Sequence, residues 1–330
     1  MPGDGIGPEI MEAALRVVEA TRVDIEWREV LAGLHAIDKY KTPLPDETIS
    51  TIRDARVALK SPITTPIGTG FRSVNVALRH EFDLYINFRP AKSFPGISSR
   101  FENIDLIIFR ENTEGLYVGL EHYIDRQRTT ATATSVITRS GSERIVRAAF
   151  EYARLHGRKK VTIVHKANIL KFTSGMFLAC GREIAAQYPD IHVEDKIIDN
   201  MAMQLVINPN QFDVIVTTNL FGDILSDLCS GLVGGLGLAP GANIGDNCAI
   251  FEAVHGSAPD IAGKGIANPL ALILASTLML EHIGEPKAAA KIVNGVKALI
   301  NEGKRLTRDL DREHGVSTKE TTSALIEFLS

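Results

Sequence analysis

Asp223 and Asp227 stand four residues apart in the run NLFGDILSDLCSGLVGGLGL, residues 219–238. In a helix, both carboxylates project from one face about one turn apart. Leu220, Ile224, Leu225 and Leu228 then cover the other side. Carboxylates held so close repel unless a positive group lies between them, and a hard divalent cation with oxygen ligands is the usual answer. The plainer reading is an acid-favouring helix N-terminus with Asp227 merely solvated. Small residues follow at once (Ser230, Gly231, Gly234, Gly235, Gly237), where backbone can approach a ligand, and they favour the cation.

A second group is basic. Ser73 is a good N-cap for a helix through His80, and Asn75 and Arg79 lie four apart on it. All three can address one anion near the helix start. Arg89 and Arg110 each end a strand, at the edge where α/β proteins put their sites. Guanidinium groups pair with carboxylates through two parallel hydrogen bonds, so three such arginines suit a small polycarboxylate. Taken one at a time, each arginine is better explained by a local ion pair. Tyr117, Lys166 and Asp199 also fall in loops or at strand ends. A lysine and a tyrosine can exchange protons once burial or nearby charge lowers their pKa values.

The elements that must position these groups alternate short β-rich runs with amphipathic helices, an α/β pattern. Helices are expected over 8–21, 45–55, 143–156, 173–187, 269–282 and 286–301, with Thr318 capping a last one. Strands are expected over 23–30, 57–60, 84–88, 105–109, 161–165 and 212–217. The Thr-rich stretch 126–139 has no helical period and reads as a projecting strand or hairpin. The opening MPGDGIGP is a glycine-rich turn leading into a helix, and such turns normally follow a strand. A strand is therefore expected ahead of it. Glycines at every second residue do not make a G-x-G-x-x-G dinucleotide fingerprint.

At 330 residues the chain can hold two domains or one large one. Apolar content of 45% and charged content of 23% exclude disorder. The net charge is 36 − 40 = −4, with no dense basic cluster, so no nucleic-acid partner is expected. The apolar window 269–280 is too short to span a bilayer and no membrane partner is expected. Cys180, Cys229 and Cys248 lack metal-ligand spacing and read as reduced core thiols. Cytoplasm is the expected compartment, with the mitochondrial matrix, after removal of a transit peptide, the alternative.

Together these motifs resemble the metal-dependent β-decarboxylating dehydrogenases, the isocitrate/isopropylmalate dehydrogenase family. The resemblance runs from Gly3 to about Asn268, and residues 219–238 match the family signature throughout. It implies a two-domain α/β fold distinct from the Rossmann fold, with a dimer clasp. The large, cofactor-side domain would comprise 1–84 and 234–330. The small domain, with the metal site and dimer interface, would comprise 85–117 and 139–233, and the clasp 118–138. The helix SVNVALR resembles the isocitrate version, in which Ser73 and Asn75 receive the γ-carboxylate. Arg79, Arg89 and Arg110 would hold the other carboxylates.

By the same resemblance, Asp223 and Asp227 would bind Mg²⁺ or Mn²⁺ with Asp199 of a second subunit. Tyr117 would protonate the enolate carbon and Lys166, also of the second subunit, would manage the hydroxyl proton. HGSAPDIAG, residues 255–263, resembles the family's adenosine loop: His255, Gly256, Ala258, Asp260 and Ile261 would contact the cofactor, with Asn268 at the adenine edge. Asp260 accepts hydrogen bonds from free ribose hydroxyls and repels a 2′-phosphate, which selects NAD. Thr65 would lie near the nicotinamide. The implied activity is NAD-dependent oxidative decarboxylation of isocitrate to 2-oxoglutarate and CO₂, a tricarboxylic acid cycle step, by a homodimer with shared active sites. Homoisocitrate oxidation and a non-catalytic regulatory subunit are the alternatives. Three departures stand out: the missing first strand, Ser61 where the family more often has Gly, and TRDLDREHGV, residues 307–316, in place of the usual TxDLGG run.

Overall fold

The computed structural model of the protein describes residues 1–65 and 73–329. The chain forms two units, each assembled from separated stretches. The first comprises Met1–Phe82, Ser93–Glu102 and Val233–Ser330; the second comprises Asp83–Lys92 and Asn103–Leu232. In chain order the strands are β1 (Val57–Lys60), β2 (Ile86–Lys92), β3 (Asp105–Glu111), β4 (Glu121–Tyr123), β5 (Ala131–Ala133), β6 (Lys160–His165), β7 (His192–Ile197), β8 (Val214–Thr217), β9 (Pro240–Ile244) and β10 (Ala249–Ala253).

In the first unit β1 runs parallel to β10, and β10 antiparallel to β9. The helix Leu270–His282 packs on β9 and β10, and on the helices Gly7–Glu19 and Pro286–Glu302. Its residues 270–277 are all buried, as expected of a helix that is apolar all round.

The expected strand at 23–30 does not form; residues 23–32 join no ladder. A strand needs a neighbour for its backbone N–H and C=O groups, whatever its side-chain alternation. Residues 25–30 instead line a groove of about 530 Å³ whose other walls include Val57, Leu59 and Met279. Met1 meets β1 at this edge: its nitrogen donates to the Leu59 carbonyl at 2.9 Å, and the Ser61 N–H donates to the Met1 carbonyl at 3.0 Å.

Three smaller differences have local causes. Ser317, not Thr318, caps the helix Thr318–Glu327, in a reciprocal capping box with Glu320. The helix Arg139–Leu155 starts four residues before the expected 143, because Thr138 Oγ1 accepts the Gly141 N–H at 3.0 Å. The pair β9–β10 and the helices Leu34–Tyr40 and Ile198–Ile207 carry no clean period and were not anticipated.

In the second unit the strand order is β2-β3-β8-β6-β7, antiparallel for β2–β3 and parallel thereafter. One face is buried under the helices Arg139–Leu155 and Thr173–Ala185, with Phe109, Ile145, Phe150, Ile163, Phe177 and Val216 in its core. Each such side chain contributes about 1.5–3 kcal/mol through burial. The helix Asn219–Leu232 packs against β3 and β2. Its buried positions are Asn219, Gly222, Leu225, Ser226, Cys229 and Ser230, largely small or polar. Ile224 was expected on the covered side and is instead 54% exposed. Strands β4 and β5 pair as a separate two-stranded antiparallel sheet, β5 within the Thr-rich stretch and β4 just before it.

Candidate active site

Strand register collects the basic side chains of the second unit. In the β2–β3 pair Asn87 lies opposite Arg110, and Arg89 opposite Ile108. Opposed residues share a face. Phe109, between Ile108 and Arg110, takes the core side, so Asn87, Arg89 and Arg110 occupy the face covered by the helix Asn219–Leu232.

Arg110, 1% exposed, spends its fork on the start of that helix. Its NH1 donates to Asp223 Oδ1 at 2.6 Å. Nε and NH2 donate to Asn219 Oδ1 at 3.0 and 2.8 Å, and Nε also reaches the Asn219 carbonyl at 2.9 Å. The Tyr117 hydroxyl donates to the second oxygen of Asp223. The guanidinium carbon lies 5.2 Å from the Tyr117 ring centroid. Asn219 Nδ2 donates to the Glu114 carbonyl at 3.1 Å, tying the helix to the loop that carries Tyr117. Buried Glu111 shapes the same loop by accepting the N–H groups of Thr113 and Glu114 at 2.8 Å each; burial holds its carboxyl above the usual range.

Gly222 makes the arrangement possible, since a Cβ there would lie 2.5 Å from Arg110 Cγ. Asn219, Gly222 and Asn87, which accepts from Arg89 Nε at 2.6 Å, are site residues that sequence reasoning missed. The first two lie in the aspartate run itself, which had been read for its acids, its apolar side and its later small residues.

Asp227 completes this cluster electrostatically. Loss of water pushes its carboxyl up; Arg89 opposes that, the Asp223 charge adds to it, and Arg110 opposes it again. The net direction is upward, so this acid gains from an added cation. Two hard oxygen donors one turn apart on a helix fit Mg²⁺ or Mn²⁺.

Lys166 and Asp199 form a separate pair, Nζ to Oδ1 at 2.6 Å, and the lysine holds the Asp199 carboxyl below its usual range. Among the described residues no group of three or more His, Cys, Asp and Glu side chains is placed to hold a metal ion. Within one chain, Asp199 therefore does not join Asp223 and Asp227.

The first unit carries the remaining candidates. Ser73 caps the helix Val74–Glu81, accepting the Val76 N–H at 3.5 Å, and Thr65 Oγ1 donates to it at 3.4 Å. Arg79 is buried on this helix, and Asn75 Oδ1 is buried without a partner among the described residues. The opening turn braces both this region and the loop 255–263. Asp4 accepts the N–H groups of Leu34 and Thr64 at 2.9 Å each. Gly5, at φ +61°, lets the turn lie against Ser257, whose carbonyl oxygen would be 2.0 Å from a Cβ.

His255 Nδ1 lies 3.0 Å from the Gly256 carbonyl, an acceptor only, so Nδ1 carries the proton. Burial lowers the pKa of this ring and keeps it neutral. Its Nε2 is buried with no partner among the described residues, an idle acceptor that fits a nucleobase edge. Ala258 holds φ at +39°, a strained backbone of the kind found at binding loops. Asp260 is exposed, with Gly256 and Ile261 in the same loop. Asn268 Nδ2 donates to Asp309 Oδ2 at 2.8 Å and its oxygen accepts the Leu270 N–H at 2.9 Å. Asp309, in the divergent 307–316 run, thus still reaches this part of the site.

Comparison with known proteins places the chain in a family. The profile of the isocitrate/isopropylmalate dehydrogenase family matches residues 1–325. The crystal structure of isocitrate dehydrogenase from Methylococcus capsulatus superposes with a TM-score of 0.98 at 56% identity, over 99% of this chain and 97% of that one. The mitochondrial isocitrate dehydrogenase [NAD] catalytic subunit 5 of Arabidopsis thaliana is 49% identical over 99% of this chain and 87% of its own. The isocitrate/homoisocitrate dehydrogenase of Thermus thermophilus is 49% identical over 99% of this chain and 96% of its own. Other relatives include NADP-linked and regulatory proteins. The chain belongs to the isocitrate/isopropylmalate dehydrogenase family and has its fold.

Proposed function

We propose that the protein is an NAD-dependent isocitrate dehydrogenase that forms 2-oxoglutarate and CO₂ with Mg²⁺ or Mn²⁺, as a homodimer with shared sites. The observation that carries this reading is Asp223, bound on one oxygen by Arg110 and on the other by Tyr117. It sets a carboxylate, a guanidinium and a phenol at one point, beside Asp227 and Arg89.

Arg79, Arg89 and Arg110 offset the charge of a tricarboxylate, while Ser73 and Asn75 receive its γ-carboxylate. Asp223 and Asp227, with Asp199 of a second copy, hold the dication. When bound, the dication acidifies the substrate hydroxyl and acts as the electron sink for CO₂ loss. Lys166 of the second copy takes the hydroxyl proton. Tyr117 delivers a proton to carbon after CO₂ leaves. His255 and Asn268 hold the adenine of NAD, the backbone at Gly256 and Ala258 with Ile261 shapes the adenosine pocket, Asp260 takes the ribose hydroxyls, and Thr65 flanks the nicotinamide.

Sharing between copies is supported by exposed apolar side chains beside both halves of the acid set. Ile169 at 66% and Phe172 at 90% follow Lys166, and Ile224 lies between the two aspartates. On the separate β4–β5 hairpin, Tyr123 and neighbouring Ile124 are also exposed, as suits a clasp. A second copy covering these residues removes them from water. Among the described residues no helix is long and apolar enough to cross a membrane.

NADH formation from isocitrate tests this reading, run beside homoisocitrate, beside NADP, and with a chelator. Activity with isocitrate and NAD that the chelator abolishes is expected. Preference for homoisocitrate or NADP contradicts the substrate or cofactor assignment, and a purified chain without turnover contradicts the enzyme reading.

A further inference from the structure

Lys166 sits in a turn whose backbone is fixed by the residue before it. His165 ends β6 and is 5% exposed. Its Nδ1 lies 3.0 Å from the backbone nitrogen of Ala167, a group that only donates, so Nδ1 presents its lone pair. Nε2 then carries the proton and donates to Asp195 Oδ2 at 3.2 Å. Arg182 NH2 donates to Asp195 Oδ1 at 2.9 Å. One tautomer satisfies every partner in this chain of bonds.

The other end of the same peptide unit is also held. The Lys166 carbonyl accepts the Ile169 N–H at 3.0 Å and the Leu170 N–H at 2.8 Å. The peptide between Lys166 and Ala167 is therefore gripped by its oxygen from one side and by its hydrogen from the other. Its plane cannot turn without breaking one of these contacts, so the backbone from which the Lys166 side chain departs is held. An apolar side chain at 165 would fill the space without holding that hydrogen.

We infer that His165, oriented by Asp195 and Arg182, is a positioning residue for Lys166. The inference rests on the reading of Lys166 as the group that manages the hydroxyl proton. Its two ring nitrogens have different tasks, and amide side chains separate them. His165→Asn can place an acceptor near Nδ1, whereas His165→Gln can place a donor near Nε2 and leaves the Ala167 N–H unheld.

The experiment compares His165→Gln, His165→Asn, Asp195→Asn and Lys166→Met in the full chain, with isocitrate, NAD and Mn²⁺. kcat, KM and amide hydrogen exchange at Ala167 are measured. For His165→Gln, kcat falls about 10- to 100-fold with little change in KM, as for other orienting partners, and Ala167 exchange quickens. His165→Asn recovers most of both losses. Asp195→Asn, on a part-exposed residue that leaves no cavity, shows the same pattern to a smaller degree and carries the test if His165→Gln fails to fold. Wild-type kcat and exchange in Asp195→Asn, or in a folded His165→Gln, overturn the inference while an inactive Lys166→Met leaves the lysine's role standing. A fully active Lys166→Met overturns both.

Discussion

Tyr117 and Asp223 are joined by a hydrogen bond in which the phenol donates to a carboxylate that also binds buried Arg110. The bond gives Tyr117 a fixed place beside the proposed metal ligands without burying it in the core. Tyr117→Phe keeps the ring over Arg110 and loses only the hydroxyl. Removing a positioned acid of this kind costs about 10²- to 10⁴-fold. The loss is expected in decarboxylation and enolate protonation, measured with the β-keto acid supplied directly, more than in hydride transfer. Equal loss in both steps contradicts the assignment.

Gly222 gives way to nothing larger. The Cβ of Gly222→Ala would meet Arg110 Cγ at 2.5 Å, and Arg110 is pinned by Asn219 and Asp223. Overpacking of this kind costs about 1–3 kcal/mol, read as a lower urea midpoint, with a fall in kcat/KM for isocitrate as the guanidinium is displaced. A variant with unchanged midpoint and kcat/KM shows that Arg110 has room the contact denies it.

The proposed preference for NAD turns on one exposed acid, Asp260. A hydrogen bond to a charged group contributes about 1.5–3 kcal/mol. Asp260→Lys exchanges that acceptor for a cation that attracts a 2′-phosphate. The ratio of kcat/KM for NAD over NADP is expected to drop at least about tenfold. An unchanged ratio removes Asp260 from the ribose site.

Acid weakens an identifiable part of the second unit. Burial pushes the Asp105 carboxyl up, but Arg158 at 2.7 Å and Lys92 at 2.9 Å outweigh it and hold it below the usual range. A depressed native pKa gives stability that is complete above the unfolded value, about 3.9, and lost as pH falls through the native one. With Asp105 partly exposed, the increment is about 1 kcal/mol or less. Thermal unfolding of Asp105→Asn is expected to be lower than wild type near neutrality and to converge with it in acid, as pH falls through the depressed native value. A constant gap across that range contradicts the linkage.

The α/β pattern, the long helices and the end of β3 bearing Arg110 were legible because hydrophobic period and capping residues are local signals; Arg89, expected to end its strand, lies inside β2, because Pro90, Ala91 and Lys92 continue the ladder with β3. The strand at 23–30 was misread because alternation reports which face is apolar, not whether a partner is present. The Arg110–Asn219–Gly222 contact was invisible for a related reason. It depends on the β2–β3 register and on a helix packing through its small residues against a strand more than a hundred positions earlier in the chain. The adenosine role of residues 255–263 is proposed from resemblance, whereas the His255 Nε2, without a partner among the described residues, and the Asn268–Asp309 bond are tertiary features.

Mixing two inactive variants tests the shared site most directly. Lys166→Met and Asp223→Asn are each expected to be inactive alone. If Lys166 and Asp199 serve the Asp223 of a second copy, subunit exchange builds mixed dimers with one intact site each, and activity returns to about a quarter of wild type for random pairing. No recovery, under conditions where exchange is shown by mass, contradicts the account.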